Sequence, residues 1–212
     1  VDGGLRSRFV LPAVKLHPAE GLSDDQLALV ETLAIGCHAV GRAAVAKGDD
    51  VLVVGAGPIG LSVVEFARLA GANVSVLDLQ EHRVAFCREQ MAVEPAKSGE
   101  LFDVVFDATG NAQSMSDSLQ HVAHAGRLVY VGITTEQIAF PHRLLHAREM
   151  DLLASRNALP AEFVSVIGAI ESGALDTRPW FTHRTTFDQM IGDFEMLSRS
   201  ETGVVKAVVE LD

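Results

Sequence analysis

The segment formed by residues 50–60 constrains the fold of this chain more than any other. Its first five residues, Asp50–Val54 (DVLVV), are almost all apolar, which predicts a strand buried on both faces of a parallel sheet. The turn Gly55-Ala56-Gly57-Pro58-Ile59-Gly60 follows at once and opens a helix that we expect over residues 58–70. A glycine turn between a buried strand and a helix predicts a βαβ unit that binds the pyrophosphate of a dinucleotide.

Each glycine of this turn has its own steric reason. Gly55 makes the tight turn, Gly57 lets the backbone approach the pyrophosphate, and Gly60 lets the helix pack closely on the strand. Pro58 is tolerated in the first helical turn because its missing N–H would have no helical partner there. The free amides at the helix N-terminus would then face the phosphates.

The acidic residue that ends the next strand is Asp78, 21 positions after Gly57. A carboxylate at this place accepts hydrogen bonds from the ribose hydroxyls of an adenosine and repels a 2′-phosphate, which favours NAD over NADP. The alternative role for Asp78 is the N-cap of the helix that starts near Leu79 and Gln80. Arg83, one turn into that helix, would cover the adenine, or would bind a phosphate if Asp78 does not select NAD.

The middle of the chain alternates strands with helices. Strands are predicted at residues 50–54, 72–77, 91–93, 102–107, 127–131 and 150–155, and helices at 58–70, 81–90, 112–124, 141–148 and 160–172. This order predicts an α/β fold with a Rossmann-type, doubly wound, six-stranded parallel sheet. Only about eight residues connect the strand at 91–93 to the strand at 102–107, whereas a parallel crossover usually needs about a dozen. Either this connection is trimmed or residues are missing from it, and we favour the second.

The two ends of the chain have a different character. Residues 1–22 carry two prolines and no helical period, so we predict a short strand at 8–11 and an extended linker. Ser23 then begins a helix that runs to about Lys47, because Ser-Asp-Asp-Gln is a capping box. From residue 178 onwards we predict an extended stretch, a helix at 187–198 and a strand at 203–211. The domain boundaries expected from these changes are 1–22, 23–177 and 178–212.

Composition and charge exclude several classes of protein. The net charge of −11 disfavours nucleic acid or an anionic membrane as a partner, since both need a basic face. The longest uncharged, mostly apolar run covers residues 51–64, which is too short for a membrane span, and no signal-peptide pattern is present. Cys37 and Cys87 lie far apart without CxxC spacing, which indicates two free thiols in a reducing cytosol.

Several segments together resemble the zinc-type medium-chain dehydrogenases, in particular the sorbitol and threonine dehydrogenase branch. They are GGLRSRFVLPAVKL, ALVETLAIGCHAVGRA, VLVVGAGPIGLSVVEFARLAGA, VVFDATGN, GRLVYVGI and THR followed by a phenylalanine. The resemblance implies an NAD(H)-binding Rossmann domain at 23–177, flanked by terminal segments (1–22 and 178–212) of a GroES-like catalytic domain. We expect most of that catalytic domain to be missing here, since the chain begins at Val1 without Met and lacks the family's Cys and His-Glu zinc motifs.

The resemblance also implies roles for individual residues. Glu31 matches a glutamate that approaches the catalytic zinc or its bound water, although Thr32 replaces the family's proline. Arg156 matches an arginine that reaches toward the substrate, and Asn157 stands where sorbitol dehydrogenases have tyrosine. These two residues and Glu31 are the catalytic candidates, with Glu31 also the tentative metal ligand. The cofactor-binding candidates are Gly55, Gly57, Pro58, Ile59, Gly60, Asp78, Arg83, Thr109, Val131, Gly132, Ile133, Ala154, Ser155 and Arg156.

Some polar residues have more than one interpretation. Glu31 lies in the apolar helical stretch LALVETLAIG, where a carboxylate is costly unless paired, so a metal or substrate role, a salt bridge and an exposed face all stay open. His142 and His146 have i, i+4 spacing but no following glutamate, which indicates a solvated helix face. His38 is expected to be a hydrogen-bonded core residue, and His121 and His124 are expected to end a helix with cationic character.

We therefore expect an NAD(H)-dependent, zinc-assisted oxidoreductase acting on a secondary alcohol of a polyol or sugar acid. In the intact enzyme, zinc would act as a Lewis acid on the alcohol, and the part present here would bind cofactor without turnover. The resemblance further implies a cytoplasmic homo-oligomer, dimer or tetramer, with a small-molecule substrate and no nucleic-acid or membrane partner. The alternatives are an S-adenosylmethionine-dependent methyltransferase, which uses a similar glycine turn, and a non-catalytic NAD(H)-binding module.

Overall fold

The computed structural model of this chain describes residue 8 and residues 10–211. Five parallel strands form the central sheet in the order β2-β1-β3-β4-β5. They are β1 Asp50–Val54, β2 Asn73–Leu77, β3 Phe102–Asp107, β4 Val122–Tyr130 and β5 Asp151–Ala154. The predicted α/β, doubly wound class is therefore confirmed. Since β2 and β3 lie on opposite sides of β1, the strand order reverses at β1, and ligands of such sheets bind beside this point.

The described residues form seven α-helices, and a second, smaller sheet follows near the end of the chain. The helices are α1 Asp24–Arg42, α2 Pro58–Leu69, α3 Glu81–Met91, α4 Ala112–Asp117, α5 His142–Ala147, α6 Pro160–Glu171 and α7 Met190–Ser198. Short 3-10 helices occur at Ala13–Lys15, Ser118–His121, Arg178–Trp180 and Ser200–Thr202. The small sheet pairs β6 Phe181–Thr186 with β7 Lys206–Glu210 in parallel. No helix among the described residues is long and apolar enough to cross a membrane.

The prediction of a strand at residues 91–93 is wrong, and with it the prediction of six strands in the central sheet. Met91 ends α3, and Ala92 turns the chain with a left-handed φ of 52°. The sheet edge gains only an isolated parallel bridge between Val76 and Pro95. Because proline has no N–H to donate, it cannot carry a ladder of hydrogen bonds further along the edge. The sheet accordingly has five strands, and residues 96–101 connect the bridge to β3 without a helix.

Other element boundaries also differ from the predictions. The helix expected over residues 112–124 is α4 followed by the 3-10 turn Ser118–His121, because the buried Val122 already pairs with Phe102 as the first residue of β4. Helix α1 ends at Arg42 rather than near Lys47. The strand expected at residues 8–11 is absent from the described part, namely residues 8, 10 and 11; residue 9 lies outside it.

The sheet buries an apolar core on each face. Helices α1, α2 and α6 pack on one face, where Leu29, Leu33, Val63 and Val64 are fully buried. The opposite core is smaller and includes Leu52, Phe102, Leu119 and Met150. Helix α1 starts with the predicted capping box, since Ser23 Oγ accepts from Gln26 N at 3.3 Å and Gln26 Oε1 accepts from Ser23 N at 2.9 Å. Because the five strands are parallel, their carboxyl ends lie at one edge of the sheet.

Candidate functional site

The glycine turn after β1 has little room for side chains. Gly55 has a left-handed φ of 93°, and a Cβ on it would lie 2.9 Å from Thr109 Cγ2. A Cβ on Gly60 would lie only 1.7 Å from the carbonyl oxygen of Gly55, so α2 approaches the turn at a distance that only glycine permits. At Gly57, in contrast, the nearest atom to an added Cβ is Arg83 Nη1 at 3.8 Å. The backbone at Gly57 is therefore open to an approaching ligand.

Asp78 connects the end of β2 to this turn. Its Oδ2 accepts a hydrogen bond of 2.7 Å from the Ala56 N–H, and its Oδ1 accepts one of 2.7 Å from the Gln80 N–H. The side chain is 6% exposed, with Arg83 Nη1 at 3.6 Å from Oδ2. The residue at the N-cap of α3 is Gln80, so Asp78 is not the cap residue that the alternative interpretation required. Asp78 instead stabilises the shape of the glycine turn while bordering the cleft in front of it.

A cleft of about 700 Å³ opens at the carboxyl ends of β1, β2 and β3. Of the residues proposed from the sequence, Gly55, Gly57, Asp78, Arg83 and Thr109 line it. The wall that sequence reasoning missed consists of Leu79, Gln80, Asn111, Gln113, Ser114, Asp117, Ser118, His121 and Ser200. Most of these are polar residues of α4 and the following 3-10 turn. The sequence signal for them was their place after β3, because ligands of a doubly wound sheet bind at the carboxyl ends of its strands.

His121 lies in this wall rather than at the end of a long helix. Burial lowers the pKa of its imidazole, and the nearby Asp117 only partly offsets that shift. The structure therefore disfavours the cationic form expected of His121, because burial of the imidazole opposes its protonation.

The C-terminal part of the chain also borders the glycine turn. A smaller cavity of about 170 Å³ beside the cleft is lined by Gly57, Pro58, Arg83 and the segment Gly203, Val204 and Val205, among others. This neighbourhood had no local sequence signal, since almost 150 residues separate the two segments. Ile59 lies in the first turn of α2 and lines neither cavity.

The residues proposed to lie near a nicotinamide follow β4. The N–H groups of Val131 and Gly132 both donate to the carbonyl oxygen of Asp107 at 2.9 Å. A Cβ on Gly132 would lie 2.3 Å from the Gly110 N, so this segment packs directly on the loop after β3. Ile133 is 78% exposed. These residues share the carboxyl edge of the sheet with the cleft but do not line it.

The segment after β5 lies one strand further along the same edge. Ser155 N donates to the Tyr130 carbonyl oxygen at 2.9 Å, and Ser155 is only 6% exposed. Its Oγ has no hydrogen-bond partner within the described part of the chain. Ala154, Arg156 and Asn157 are exposed, and Asn157 has a left-handed φ of 55°. The structure therefore places this group at the edge of the sheet, outside the cleft.

Glu31 is exposed on α1, so the argument that its carboxylate lies in an apolar environment is wrong. The stretch around it is apolar, but the helix turns this one position outward. Its neighbour Thr32 is the buried residue, 5% exposed, and Thr32 Oγ1 accepts a hydrogen bond of 2.9 Å from Lys206 Nζ. The contact joins α1 to β7 next to Glu31.

The described chain, residue 8 and residues 10–211, has no group of three or more His, Cys, Asp or Glu side chains that could hold a metal ion. His142 and His146 have ring centroids 6.0 Å apart beside a shallow cavity of about 590 Å³, without such a group. Burial, with a smaller contribution from Glu162, raises the pKa of the Cys37 thiol to about 11. Burial and then Asp78 raise the pKa of Cys87 to about 12. Both thiols are therefore protonated at neutral pH and are poor metal ligands.

Comparison with known proteins identifies a family that agrees with the dinucleotide site predicted at the glycine turn. The family model of zinc-binding dehydrogenases matches residues 58–172, which is more than half of the chain. The chain belongs to the zinc-binding dehydrogenase family. This membership confirms the resemblance seen in the sequence and disfavours the methyltransferase alternative.

Individual relatives are polyol and sugar-acid dehydrogenases by name. The chain is 33% identical over 222 residues to L-galactonate-5-dehydrogenase of Escherichia coli (strain K12), covering 98% of this chain and 65% of that protein. It is 31% identical over 233 residues to L-arabinitol 4-dehydrogenase of Hypocrea jecorina, covering 99% of this chain and 61% of that protein. The chain thus spans less than two thirds of the length of these relatives.

Solved structures show the same fold. The 2R,3R-butanediol dehydrogenase from Bacillus subtilis superposes with a TM-score of 0.83 at 24% identity, over 91% of this chain and 59% of that one. L-idonate 5-dehydrogenase from Escherichia coli superposes with a TM-score of 0.80 at 22% identity, over 91% of this chain and 58% of that one. At these sequence identities the similarity supports a shared fold and nothing more specific.

Proposed function

We propose that this chain is the cofactor-binding part of an NAD(H)-dependent oxidoreductase that acts on a secondary alcohol of a polyol or sugar acid. The observation that carries the proposal is the pairing of the crowded glycine turn with Asp78 at the mouth of a cleft of about 700 Å³. A turn of this kind presents free amides to a pyrophosphate, and the carboxylate accepts from ribose hydroxyls. Membership in a dehydrogenase family agrees with this use of the cleft.

The residues present fit NAD(H). Steric crowding at Gly55 and Gly60 shapes the cradle, and the open surface at Gly57 admits a phosphate group. Asp78 would hold the adenosine ribose and would disfavour a 2′-phosphate, with Arg83 beside it. The segments that follow β4 and β5 would hold the nicotinamide end. The first contains Val131, Gly132 and Ile133, and the second contains Ala154, Ser155 and Arg156. Bound NAD(H) supplies the hydride acceptor or donor.

The substrate class rests on the relatives. Those with 27–33% identity are named for galactonate, arabinitol and xylulose, all of which are polyhydroxylated carbon chains. Arg156 and Asn157 are exposed at the edge where the proposed nicotinamide residues lie, so their side chains are available to a hydroxylated or carboxylated substrate. We propose these two residues, with Glu31, as the part of the catalytic machinery that this chain contributes.

The zinc ion implied by the family name does not fit the described residues, since they offer no three-donor group. Glu31 alone would be a single, exposed ligand. We therefore propose that the zinc-assisted activity belongs to the whole protein, with residues 1–22 and 178–212 as parts of its GroES-like catalytic domain and residues 23–177 as its NAD-binding domain. A cytoplasmic homo-oligomer is part of the same proposal.

A titration of the 212-residue chain tests the proposal. Nicotinamide fluorescence would report binding of NADH, with NADPH and S-adenosylmethionine as competitors. We expect saturable NADH binding, displacement by NADPH only at concentrations about tenfold higher, and no effect of S-adenosylmethionine. Binding of S-adenosylmethionine without NADH would overturn the assignment. NADH binding in a whole, zinc-loaded protein that oxidises no polyol would instead favour the non-catalytic module.

A further inference from the structure

A fully buried carboxylate lies beneath the cleft, at the end of β3. Asp107 is 0% exposed and pairs in register with Val54 of β1 and Tyr130 of β4. Its Oδ1 accepts from Thr109 N at 2.9 Å and from Thr109 Oγ1 at 2.6 Å. Its Oδ2 accepts from Ser114 Oγ at 2.9 Å and from Ser118 Oγ at 2.7 Å. A carboxylate offers about four acceptor sites, so these four neutral donors fill it.

The hydrogen bonds continue from Asp107 into the loop above it. Thr109 Oγ1, which donates to Asp107, also accepts from the Asn111 N–H at 3.1 Å. Asn111 Oδ1 in turn accepts from Ser114 N at 3.0 Å and caps α4. In residues 108–111, named here the β3 loop, Thr109 bonds directly to the buried Asp107 side chain, and Asn111 is connected to it through Thr109 and Ser114. A buried carboxylate tolerates little displacement of its donors, because each lost hydrogen bond leaves part of its desolvation cost uncompensated.

The β3 loop separates the two halves of the proposed cofactor site. On one side, Thr109 lies so near the glycine turn that a Cβ on Gly55 would be 2.9 Å from Thr109 Cγ2. On the other, Gly110 lies so near Ile133 that a Cβ on it would be 2.9 Å from the Ile133 carbonyl oxygen. The main-chain oxygen of Asp107 also accepts from Val131 and Gly132. A shift of this loop would therefore move the wall shared by the cleft and the segment after β4.

We propose that Asp107 is a positioning residue for cofactor binding: it touches no ligand itself, and it sets the place of the β3 loop between the glycine turn and Gly132. This role rests on the NAD(H) binding argued under Proposed function. The role requires both side-chain oxygens of Asp107 to accept hydrogen bonds. An amide at this position would direct an N–H₂ group at two donors that need an acceptor.

Two variants and one matched control test this role by NADH titration of the 212-residue chain. Asp107→Asn keeps the size of the side chain but replaces one acceptor oxygen by a donor. The double variant Ser114→Ala with Ser118→Ala keeps Asp107 but removes both donors to Oδ2. The control is Ser116→Ala on the same helix, whose Oγ donates to the Ala112 carbonyl oxygen rather than to Asp107. We expect the Kd for NADH to rise about tenfold in Asp107→Asn, several-fold in the double variant and not at all in the control.

Thermal unfolding separates positioning from a purely structural role. Each Kd is measured well below the unfolding midpoint of that variant, where the chain is fully folded by circular dichroism. A structural role alone would lower the midpoint and leave the Kd of the folded chain unchanged, and this result would overturn the proposal. If Asp107→Asn does not fold, Ser118→Ala alone decides in the same way, because Ser118 donates to Asp107 Oδ2 and, at 1% exposed, offers a bound cofactor almost no surface. Absence of NADH binding by the unaltered chain would overturn the proposed function itself, and the positioning role with it.

Discussion

The main-chain N–H of Ala56 donates a hydrogen bond of 2.7 Å to Asp78 Oδ2, so the carboxylate at the end of β2 directly stabilises the glycine turn after β1. The two residues are 22 positions apart in the chain and meet because β1 and β2 are adjacent parallel strands. A charge-assisted hydrogen bond of this length is among the stronger ones in proteins. Asp78 therefore has two tasks at once: it shapes the turn, and it is proposed to select the ribose.

Asp78→Asn is expected to weaken NADH binding and to reduce the preference for NADH over NADPH. The amide cannot accept from both the Ala56 and the Gln80 N–H groups, and it no longer repels a 2′-phosphate. We expect about a tenfold loss in NADH affinity, measured by fluorescence titration with both cofactors. Glu81→Gln, which removes an equal charge from the exposed start of α3, should leave both affinities nearly unchanged. An unaltered NADH to NADPH ratio in Asp78→Asn would contradict the assigned selectivity.

Gly60→Ala is expected to destabilise the fold. The new Cβ would collide with the Gly55 carbonyl oxygen, from which it would be 1.7 Å away, so turn and helix must separate. Overpacking of this kind costs about 1–3 kcal/mol or more in free energy of unfolding. Gly168→Ala in α6 is the matched control, since no atom lies within 4 Å of its added Cβ. That variant should be more stable by roughly 0.5–1 kcal/mol, because alanine favours a helix interior. Urea unfolding measures the free energy of unfolding of both variants. Equal changes in the two would contradict the steric argument for Gly60.

Thr32→Val is expected to loosen the contact between α1 and β7. The substitution keeps the shape of the buried side chain but removes the acceptor of the hydrogen bond from Lys206 Nζ. We expect a loss of about 1–2 kcal/mol in free energy of unfolding. Thr135→Val at an exposed position should change stability by less than about 0.5 kcal/mol. If the hydrogen bond is responsible, Lys206→Met and Thr32→Val will be non-additive in a double-mutant cycle.

Glu65 and Glu162 should affect the pH dependence of stability in opposite directions. Burial raises the pKa of Glu65 on α2; Arg68, 3.9 Å away, partly opposes this shift, and Asp176 adds to it. A raised folded-state pKa contributes stability that is fully present below the unfolded value of about 4.5 and is lost as pH rises through the folded value. The substitution Glu65→Gln should therefore raise the free energy of unfolding at pH 7, and it should raise it less at pH 4. Urea titrations at the two pH values would show no such difference if the carboxyl is not buried.

Glu162 behaves in the reverse manner. Burial tends to raise its pKa, but hydrogen bonds from His38 and from the N–H groups of Leu159 and Glu162 itself outweigh burial and lower it. A lowered folded-state pKa contributes stability that is present above about 4.5 and is lost as pH falls through the folded value. Glu162→Gln should accordingly reduce the free energy of unfolding at pH 7 and have less effect near pH 3. The same urea titrations, run beside those of Glu65→Gln, compare the two signs directly.

Two strands with mostly buried residues were predicted to the residue. Both Asp50–Val54 and Phe102–Asp107 have the bounds expected from the sequence, because a strand buried on two faces needs apolar side chains at nearly every position. Helix α2 was equally clear, since the glycine turn and Pro58 mark its start. Less periodic segments were harder to assign. The strand expected at 91–93 became the end of α3, and the helix expected to reach His124 ended at Asp117.

Positions that depend on partners distant in sequence were beyond local patterns. Glu31 lies in an apolar stretch, yet only the packing of α1 against α2 and α6 decides that its side chain is exposed. Asp107 differs from Glu31 in this respect. Its four donors come from Thr109, Ser114 and Ser118, which lie 2, 7 and 11 positions further along the chain, but no periodic pattern in the sequence shows that their hydroxyl groups face it. The wall formed by α4 and the approach of residues 203–205 to the glycine turn likewise require the folded chain.

The sequence by itself determined the βα alternation, the glycine turn, and the acidic residue that follows the second strand. These features are local, because steric demands on glycine and the burial of a strand act within a few residues. Tertiary structure alone decided that Asp78 would bond to Ala56, that residues 203–205 would approach the glycine turn, and that Glu31 would face outward. Asp78 meets Ala56 because β1 and β2 are adjacent in the sheet, and the sequence of a single strand does not specify which strand lies beside it.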